Sequence, residues 1–110
     1  MARKGQKRAP RELGTAGKGL WRVVTENFEL EPHHLVVLEQ AACALDRATT
    51  CREAIARDGQ TIVDRWGQVK PHPLLAAERD ARSSFVRCLS ALGLDVIPAG
   101  PNGRPPGSGR

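Results

Sequence analysis

Apolar residues recur at helical spacing in three stretches of the chain, and each stretch predicts a helix. The first lies near residues 17–28. Its apolar stripe comprises Leu20, Val23, Val24 and Phe28. A long second helix is expected over Pro32–Asp58, because proline suits a first helical turn and Gly59 follows as a terminator. The third is expected over about residues 73–92, with Gly93 after its end.

Between the second and third helices the pattern changes and predicts a short β-hairpin. Residues 60–64 include three consecutive β-branched or strand-favouring side chains, and residues 68–70 form the returning strand. The turn between them is Arg65-Trp66-Gly67, in which the glycine is able to adopt a positive φ. The chain therefore turns back on itself at a small ribbon.

These elements predict a mainly α fold. A short N-terminal helix packs on a long antiparallel helical hairpin, with the small β-hairpin at its bend. Residues 17–95 would form this helical domain. Residues 1–16 are basic with almost no apolar side chains, and residues 96–110 are rich in Pro and Gly, so both are expected to be disordered.

The apolar stripes also predict self-association. A core of about 75 residues rarely stabilises itself alone, and the two long helices have more apolar surface than one short helix covers. We therefore expect a homo-oligomer larger than a dimer. Its expected contact residues are Leu35, Leu38, Leu45, Ile55, Leu74, Phe85, Leu89 and Leu92.

Charge is distributed unevenly along the 110 residues, whose formal net charge is +5. Residues 1–19 have six basic side chains and one acidic one, whereas residues 20–92 have nine basic and ten acidic ones. A flexible basic arm favours nucleic-acid binding, because it neutralises phosphates without a fixed geometry; the alternative is a solubilising tail. The expected DNA-binding residues are Arg3, Lys4, Lys7, Arg8, Arg11, Lys18, Arg65 and Lys70.

Candidate chemistry is sparse. No phosphate-binding loop, nucleophile elbow or zinc-protease signature occurs in the sequence. Cys43 and Cys51 are too far apart on one helix to share a zinc ion, and His33 and His34 point in different directions. We therefore expect no enzyme activity, no cofactor and no metal. Three cysteines without the spacing of a disulfide framework predict free thiols in a reducing compartment, so we expect a cytoplasmic protein. No apolar run is long enough to predict a membrane-spanning helix.

Trp66 has two interpretations. It caps the open end of the helix pair, or it contacts DNA or a neighbouring subunit together with Arg65 and Lys70. His72, between two prolines, is expected to be a loop residue or to pack on Trp66.

Several short motifs, taken in order and spacing, resemble the small terminase subunit of tailed phages and prophages. The resemblance covers roughly residues 17–95. The motifs are Leu20-Trp21 with Val23-Val24 after a basic arm, Glu39-Gln40 and Cys43-Ala44 ahead of Asp58-Gly59, Gly67 ahead of His72-Pro73, and the closing Leu92-Gly93-Leu94.

The resemblance implies a non-catalytic protein of the bacterial host cytoplasm that forms a ring. Its implied partners are double-stranded viral DNA and the large terminase subunit, the ATPase and nuclease to which it presents the genome for packaging. One alternative is a small helical protein-interaction or antitoxin-like module with solubilising tails. Another is a sequence-specific repressor that uses the first helix.

Overall fold

The computed structural model describes residues 8–94, which form three helices and one two-stranded antiparallel sheet. The elements in chain order are α1 (Thr15–Asn27), α2 (Pro32–Asp58), β1 (Thr61–Val63), β2 (Val69–Pro71) and α3 (Leu74–Ala91). The predicted mainly helical fold with a small hairpin at the bend is thus confirmed. The predicted disordered tail 96–110 and the first seven residues of the arm lie outside the described residues.

The folded part of the chain begins earlier than the predicted boundary at residue 17. The N–H of Leu13 donates to the carbonyl of Pro10 at 3.3 Å, and α1 already begins at Thr15. Leu13 is only 4% exposed. A single leucine among charged residues and glycines has no periodicity, so the sequence did not indicate that residues 8–16 pack against the domain.

Local sequence accounts for both ends of α2. At the start, the N–H of Glu31 donates to Nδ1 of His34 at 3.1 Å, and Pro32 occupies the first turn. At the other end, Gly59 has a φ of 89°, and its N–H donates to the carbonyl of Ile55 at 2.6 Å. Only glycine adopts this left-handed conformation without strain. The helix therefore has the bounds that the sequence predicts.

Residues 65–67 form the loop that closes the hairpin, because the N–H of Asp64 still donates to the carbonyl of Gln68 at 2.9 Å. The registered pairs are Thr61 with Pro71, Ile62 with Lys70, and Val63 with Val69. The N–H of Gly67 donates to the carbonyl of Asp64 at 3.0 Å, and Gly67 has a φ of 82°. Asp64 also accepts the N–H groups of Trp66 and Gln68 on Oδ1, each at 2.9 Å. This geometry is a type I turn followed by a left-handed glycine.

α3 lies along α2 on a seam of small side chains. The buried positions of α2 include Ala41, Ala44, Ala48, Cys51 and Ala54. On α3 the buried positions are Glu78 and Ala81. Five larger apolar residues of the two helices are only half-buried, namely Leu45, Ile55, Leu74, Phe85 and Leu89.

The largest side chains of the core lie where α1 meets α2. The cluster consists of Leu13, Trp21, Val24, Leu38 and Ala42. Partly buried residues from before α1 and after α3 pack against it, among them Ala9, Leu92 and Leu94. The start of the domain and the end of α3 therefore meet at the same core cluster.

Candidate DNA-binding and subunit-contact surfaces

The hairpin has an exposed apolar face. Val63 and Val69 face each other across the strands and are 66% and 68% exposed. Trp66, at the turn, is 70% exposed. Ile62, which points to the other side of the ribbon, is partly buried. The interpretation of Trp66 as a cap over the helix pair is therefore wrong, since its side chain is available to a partner.

The two basic residues of the hairpin are held differently. The guanidinium carbon of Arg65 lies 4.6 Å from the centroid of the Trp66 ring, a cation–π distance. Nζ of Lys70 lies 3.2 Å from Oδ2 of Asp64. The N–H of Gln68 is the main cause of a lowered pKa of the Asp64 carboxyl, and Lys70 adds to it. The charge of Lys70 is thus partly compensated inside the hairpin.

His72 attaches the hairpin to the helices. Its side chain is 5% exposed, and its Nδ1 accepts the N–H of Leu74 at 3.0 Å. Because Nδ1 accepts, the proton is assigned to Nε2, which lies 3.0 Å from Oδ2 of Asp58 and donates to it. The backbone N–H of His72 donates to the carbonyl of Gln60 at 2.8 Å. The expectation of a loop residue is confirmed, since His72 lies between β2 and α3, but its side chain contacts Asp58 and the start of α3 instead of Trp66.

Asp46 of α2 holds the start of α1. One carboxylate oxygen accepts the N–H of Gly14 at 2.6 Å and the other accepts that of Gly17 at 2.7 Å. A carboxylate at a helix N-terminus is favourable because of the helix dipole and the unpaired N–H groups there. A Cβ atom on Gly17 would lie 2.9 Å from the carbonyl oxygen of Ala42. α1 therefore approaches α2 so closely that only glycine fits.

The predicted DNA-binding residues fall into two groups. Of the arm, Arg8, Arg11 and Lys18 are exposed, whereas Arg3, Lys4 and Lys7 lie outside the described residues. Arg65 and Lys70 are exposed at the hairpin. Ala9 of the arm packs against the core cluster that contains Leu38, whereas the hairpin follows Asp58, about 30 Å farther along α2 at 1.5 Å per residue. The structure thus does not bring the two groups together.

The predicted subunit contacts are not all available to a second subunit. Leu38 is 0% exposed, so that assignment is wrong and Leu38 is a core residue. Leu35 and Leu92 pack partly against the core cluster. The remaining five are half-buried and lie near the seam. They are Leu45, Ile55, Leu74, Phe85 and Leu89.

A further charged surface, absent from the predicted DNA-binding residues, lies on α3. Arg79, Arg82 and Arg87 are all exposed, and so are Ser83, Val86 and Ser90. The signal was present in the helical spacing of these arginines. It was hidden by the nearly balanced charge of residues 20–92 as a whole.

Within residues 8–94, no group of three or more His, Cys, Asp or Glu is placed to hold a metal ion. Cys43 is exposed, Cys51 is buried and Cys88 is half-buried, all as free thiols. Although Cys43 is exposed, partial desolvation of its thiol and the nearby carboxylate of Glu39 raise the pKa of this group. None of the helices in this part of the chain is long and apolar enough to cross a membrane.

Comparison with known families decides the affiliation. The family model for the small subunit of phage terminase matches residues 18–97. The chain belongs to this family. The match covers all but the first turn of α1, and all of α2, the hairpin and α3, whereas the described arm residues 8–17 lie outside it. No match is found among curated proteins or among solved structures.

Membership in the small terminase subunit family confirms the resemblance in the sequence and gives the chain a role in phage genome packaging. Small subunits of this kind are generally non-catalytic, and in general they interact with DNA and with a large terminase subunit. The surfaces that would serve these contacts in this chain are the arm, the hairpin, the half-buried residues beside the seam, and the arginines of α3.

Proposed function

We propose that this chain binds viral DNA and presents it to the large terminase subunit, the ATPase and nuclease of packaging, in the bacterial host cytoplasm. The observation that supports this most is the family match over residues 18–97. The chain itself would hydrolyse no ATP and need no metal. The test is co-purification with the large subunit of the same phage or prophage, together with DNA binding by the purified chain. A chain that binds neither would refute the proposal.

The arm is proposed to supply much of the DNA affinity. If about five phosphates are neutralised per arm, log K should fall with log salt concentration with a slope of about −4.5. Because Leu13 is buried, deleting the whole of residues 1–16 would damage the fold. A better variant replaces Arg3, Lys4 and Lys7 with Gln, which should flatten the slope by about 2.7.

The control for the arm variant keeps the three charges and exchanges only their type, as Arg3→Lys, Lys4→Arg and Lys7→Arg. It should retain the salt slope of the original chain, because phosphate neutralisation depends on charge. An unchanged slope in the Gln variant would move the DNA contact to the folded domain.

The hairpin is proposed to contact DNA or a protein partner, supported by its exposed apolar face and the Arg65–Trp66 stack. Replacing Arg65, Trp66 and Lys70 with Ala should weaken binding to DNA or to the large subunit. The turn should survive, because Asp64 holds it through backbone N–H groups. Lys70→Ala alone is the control for removing the ion pair with Asp64. If the triple variant loses stability and keeps binding, the hairpin is structural.

Assembly into a ring of more than two subunits is proposed from the half-buried residues beside the seam. Leu45→Asp and Phe85→Asp should dissociate the oligomer, because an unpaired carboxylate in an interface costs several kcal/mol. Leu38→Asp should unfold the chain instead, since Leu38 is 0% exposed. Thr50→Asp, at an exposed position, is the neutral control. Light scattering gives the mass, and a monomer for the original chain would contradict this proposal.

A protein-interaction module of the antitoxin type is the second candidate, favoured by the apolar outer face of the hairpin. Such a module would bind DNA neither tightly nor with a steep salt dependence. Binding measured at two salt concentrations separates the two candidates.

A further inference from the structure

The solvent face of α3 is predominantly basic. At 100° per residue, four residues lie within about 30° of one direction: Arg79, Ser83, Val86 and Ser90. Arg82 and Arg87 lie about 70° to either side of it. All six residues are exposed. Glu78 and Asp80, the acidic residues of α3, lie about 100° from this direction on opposite flanks. We call this set of six exposed residues the arginine face.

The nearby acidic groups leave most of this charge available. The Glu78 carboxylate, whose side chain is 11% exposed, pairs mainly with Arg52, since Oε2 lies 3.1 Å from Nε of that residue. The distance from the same oxygen to Nη1 of Arg82 is longer, 3.8 Å. Within residues 8–94, Arg79 takes part in no ion pair. Arg87 donates to the hydroxyl of Ser84 at 3.4 Å, a neutral acceptor. The face therefore presents a net positive charge to solvent.

The exposed face of α2 offers a comparison within the same domain. There Glu39 and Glu53 alternate with Arg47 and Arg57, all exposed. A mixed face of this kind is typical of a solvated helix, because neighbouring charges of opposite sign stabilise it. On α3 the three exposed arginines outnumber the two carboxylates, of which Glu78 is buried and Asp80 is exposed at the flank.

The end of α3 lies close to the first described residues of the basic arm. Ala9 packs against the same core cluster as Leu92 and Leu94, which directly follow α3. The arm therefore meets the domain at the end of α3 that carries Arg87 and Ser90 of the arginine face.

We propose that the arginine face of α3 binds the phosphate backbone of double-stranded DNA and is the principal DNA contact of the folded domain. This inference rests on the proposed function. Arg79 and Arg87 are eight residues apart, or about 12 Å along the helix, close to the width of about 12 Å of the major groove. Guanidinium groups bind phosphate through paired hydrogen bonds. The face would position the duplex without reading its sequence.

The test uses the full chain with Arg79, Arg82 and Arg87 replaced by Ala. The salt slope of DNA binding should flatten by about 0.9 for each phosphate that is no longer neutralised, or about 2.7 per engaged subunit. Affinity should fall equally for unrelated DNA sequences. Melting temperature and oligomer mass should not change, because the three side chains are exposed.

Two control variants accompany the triple variant. Replacing the same three arginines with Lys keeps the charge and should retain most of the salt slope. Replacing Arg57 of α2 with Ala removes an exposed charge away from this face and should leave the slope unchanged. If the triple variant does not fold, Arg79→Glu alone should still weaken DNA binding by more than tenfold at low salt, because Arg79 makes no ion pair within residues 8–94.

Other outcomes separate this inference from the proposed function. If the triple variant folds and keeps the original salt slope and DNA affinity, the inference is wrong. DNA binding that depends on the arm would then still support the proposed function. A triple variant that binds DNA normally but no longer binds the large subunit also overturns it, and makes the face a protein-docking surface. If the original chain binds no DNA even at low salt, both the inference and the proposed function fall.

Discussion

Two glycines in the same helix should respond in opposite ways to the same substitution. Gly17 and Gly19 both lie in α1, where alanine is intrinsically favoured over glycine by about 1 kcal/mol. A Cβ atom at Gly19 would meet nothing within 4 Å. At Gly17 it would lie 2.9 Å from the carbonyl oxygen of Ala42 and closer still to the carboxylate of Asp46.

The expected magnitudes follow from these contacts. Gly19→Ala should stabilise the chain by about 0.5–1 kcal/mol through helix propensity alone. Gly17→Ala must move α1 away from the backbone of α2 and so weaken the bond from the Gly17 N–H to Asp46. A hydrogen bond to a charged group contributes about 1.5–3 kcal/mol. After the propensity gain is subtracted, we expect a net destabilisation of about 1–3 kcal/mol.

The assay is urea unfolding followed by circular dichroism at matched protein concentration, because assembly adds to the apparent stability. In an Asp46→Ala background the penalty of Gly17→Ala should shrink without vanishing, since the Ala42 carbonyl remains. If Gly17→Ala and Gly19→Ala stabilise the chain equally, α1 does not approach α2 closely, and the assigned role of Asp46 is wrong.

Three further changes test the contacts that join the elements. Asp46→Ala should cost about 1–2 kcal/mol of unfolding free energy, as the loss of a helix N-cap does. An unchanged urea midpoint would contradict the role of Asp46 in holding the start of α1. His72→Ala should cost about 1–3 kcal/mol, because it leaves the Leu74 N–H without its acceptor, and a loss confined to DNA binding would argue against this anchor. The N–H of Gln68 is the main cause of the lowered pKa of Asp64 in the folded state. The ionised Asp64 therefore contributes its full stabilisation of the fold above the unfolded-state pKa of about 4, and this contribution is lost as pH falls through the folded-state pKa. Asp64→Asn should therefore flatten the acid limb of a melting-temperature profile, and an identical limb would show that the carboxylate is not stabilised.

Much of the fold could be predicted from local signals. Pro32 and Gly59 delimit α2 at the residues where the structure begins and ends it. Gly67 and the β-branched run before it predict the hairpin. These signals act over a few residues, so one sequence contains them. The family affiliation was also readable, because it depends on the order of short motifs within the matched residues 18–97.

The interactions that position the candidate surfaces could not be predicted in this way. Asp46 caps Gly14 from 32 residues away, and His72 reaches Asp58 across 14 residues. Neither residue differs in type from an ordinary surface aspartate or loop histidine. Their roles depend on which elements become neighbours, and helical periodicity does not supply that information.

The predicted subunit interface is wrong at Leu38 because α1 covers this residue in the core cluster with Trp21 and Val24. Hydrophobicity ranks leucine above alanine, so periodicity alone selects the larger residues as contact residues. Small side chains let two helices approach closely, and Ala44, Ala48 and Ala54 are the buried residues at the seam with α3. The larger residues Leu45 and Ile55 are then left half-buried beside it. Burying such a side chain fully is worth about 1.5–3 kcal/mol, so a second subunit that covers this row gains stability that the single chain leaves unused.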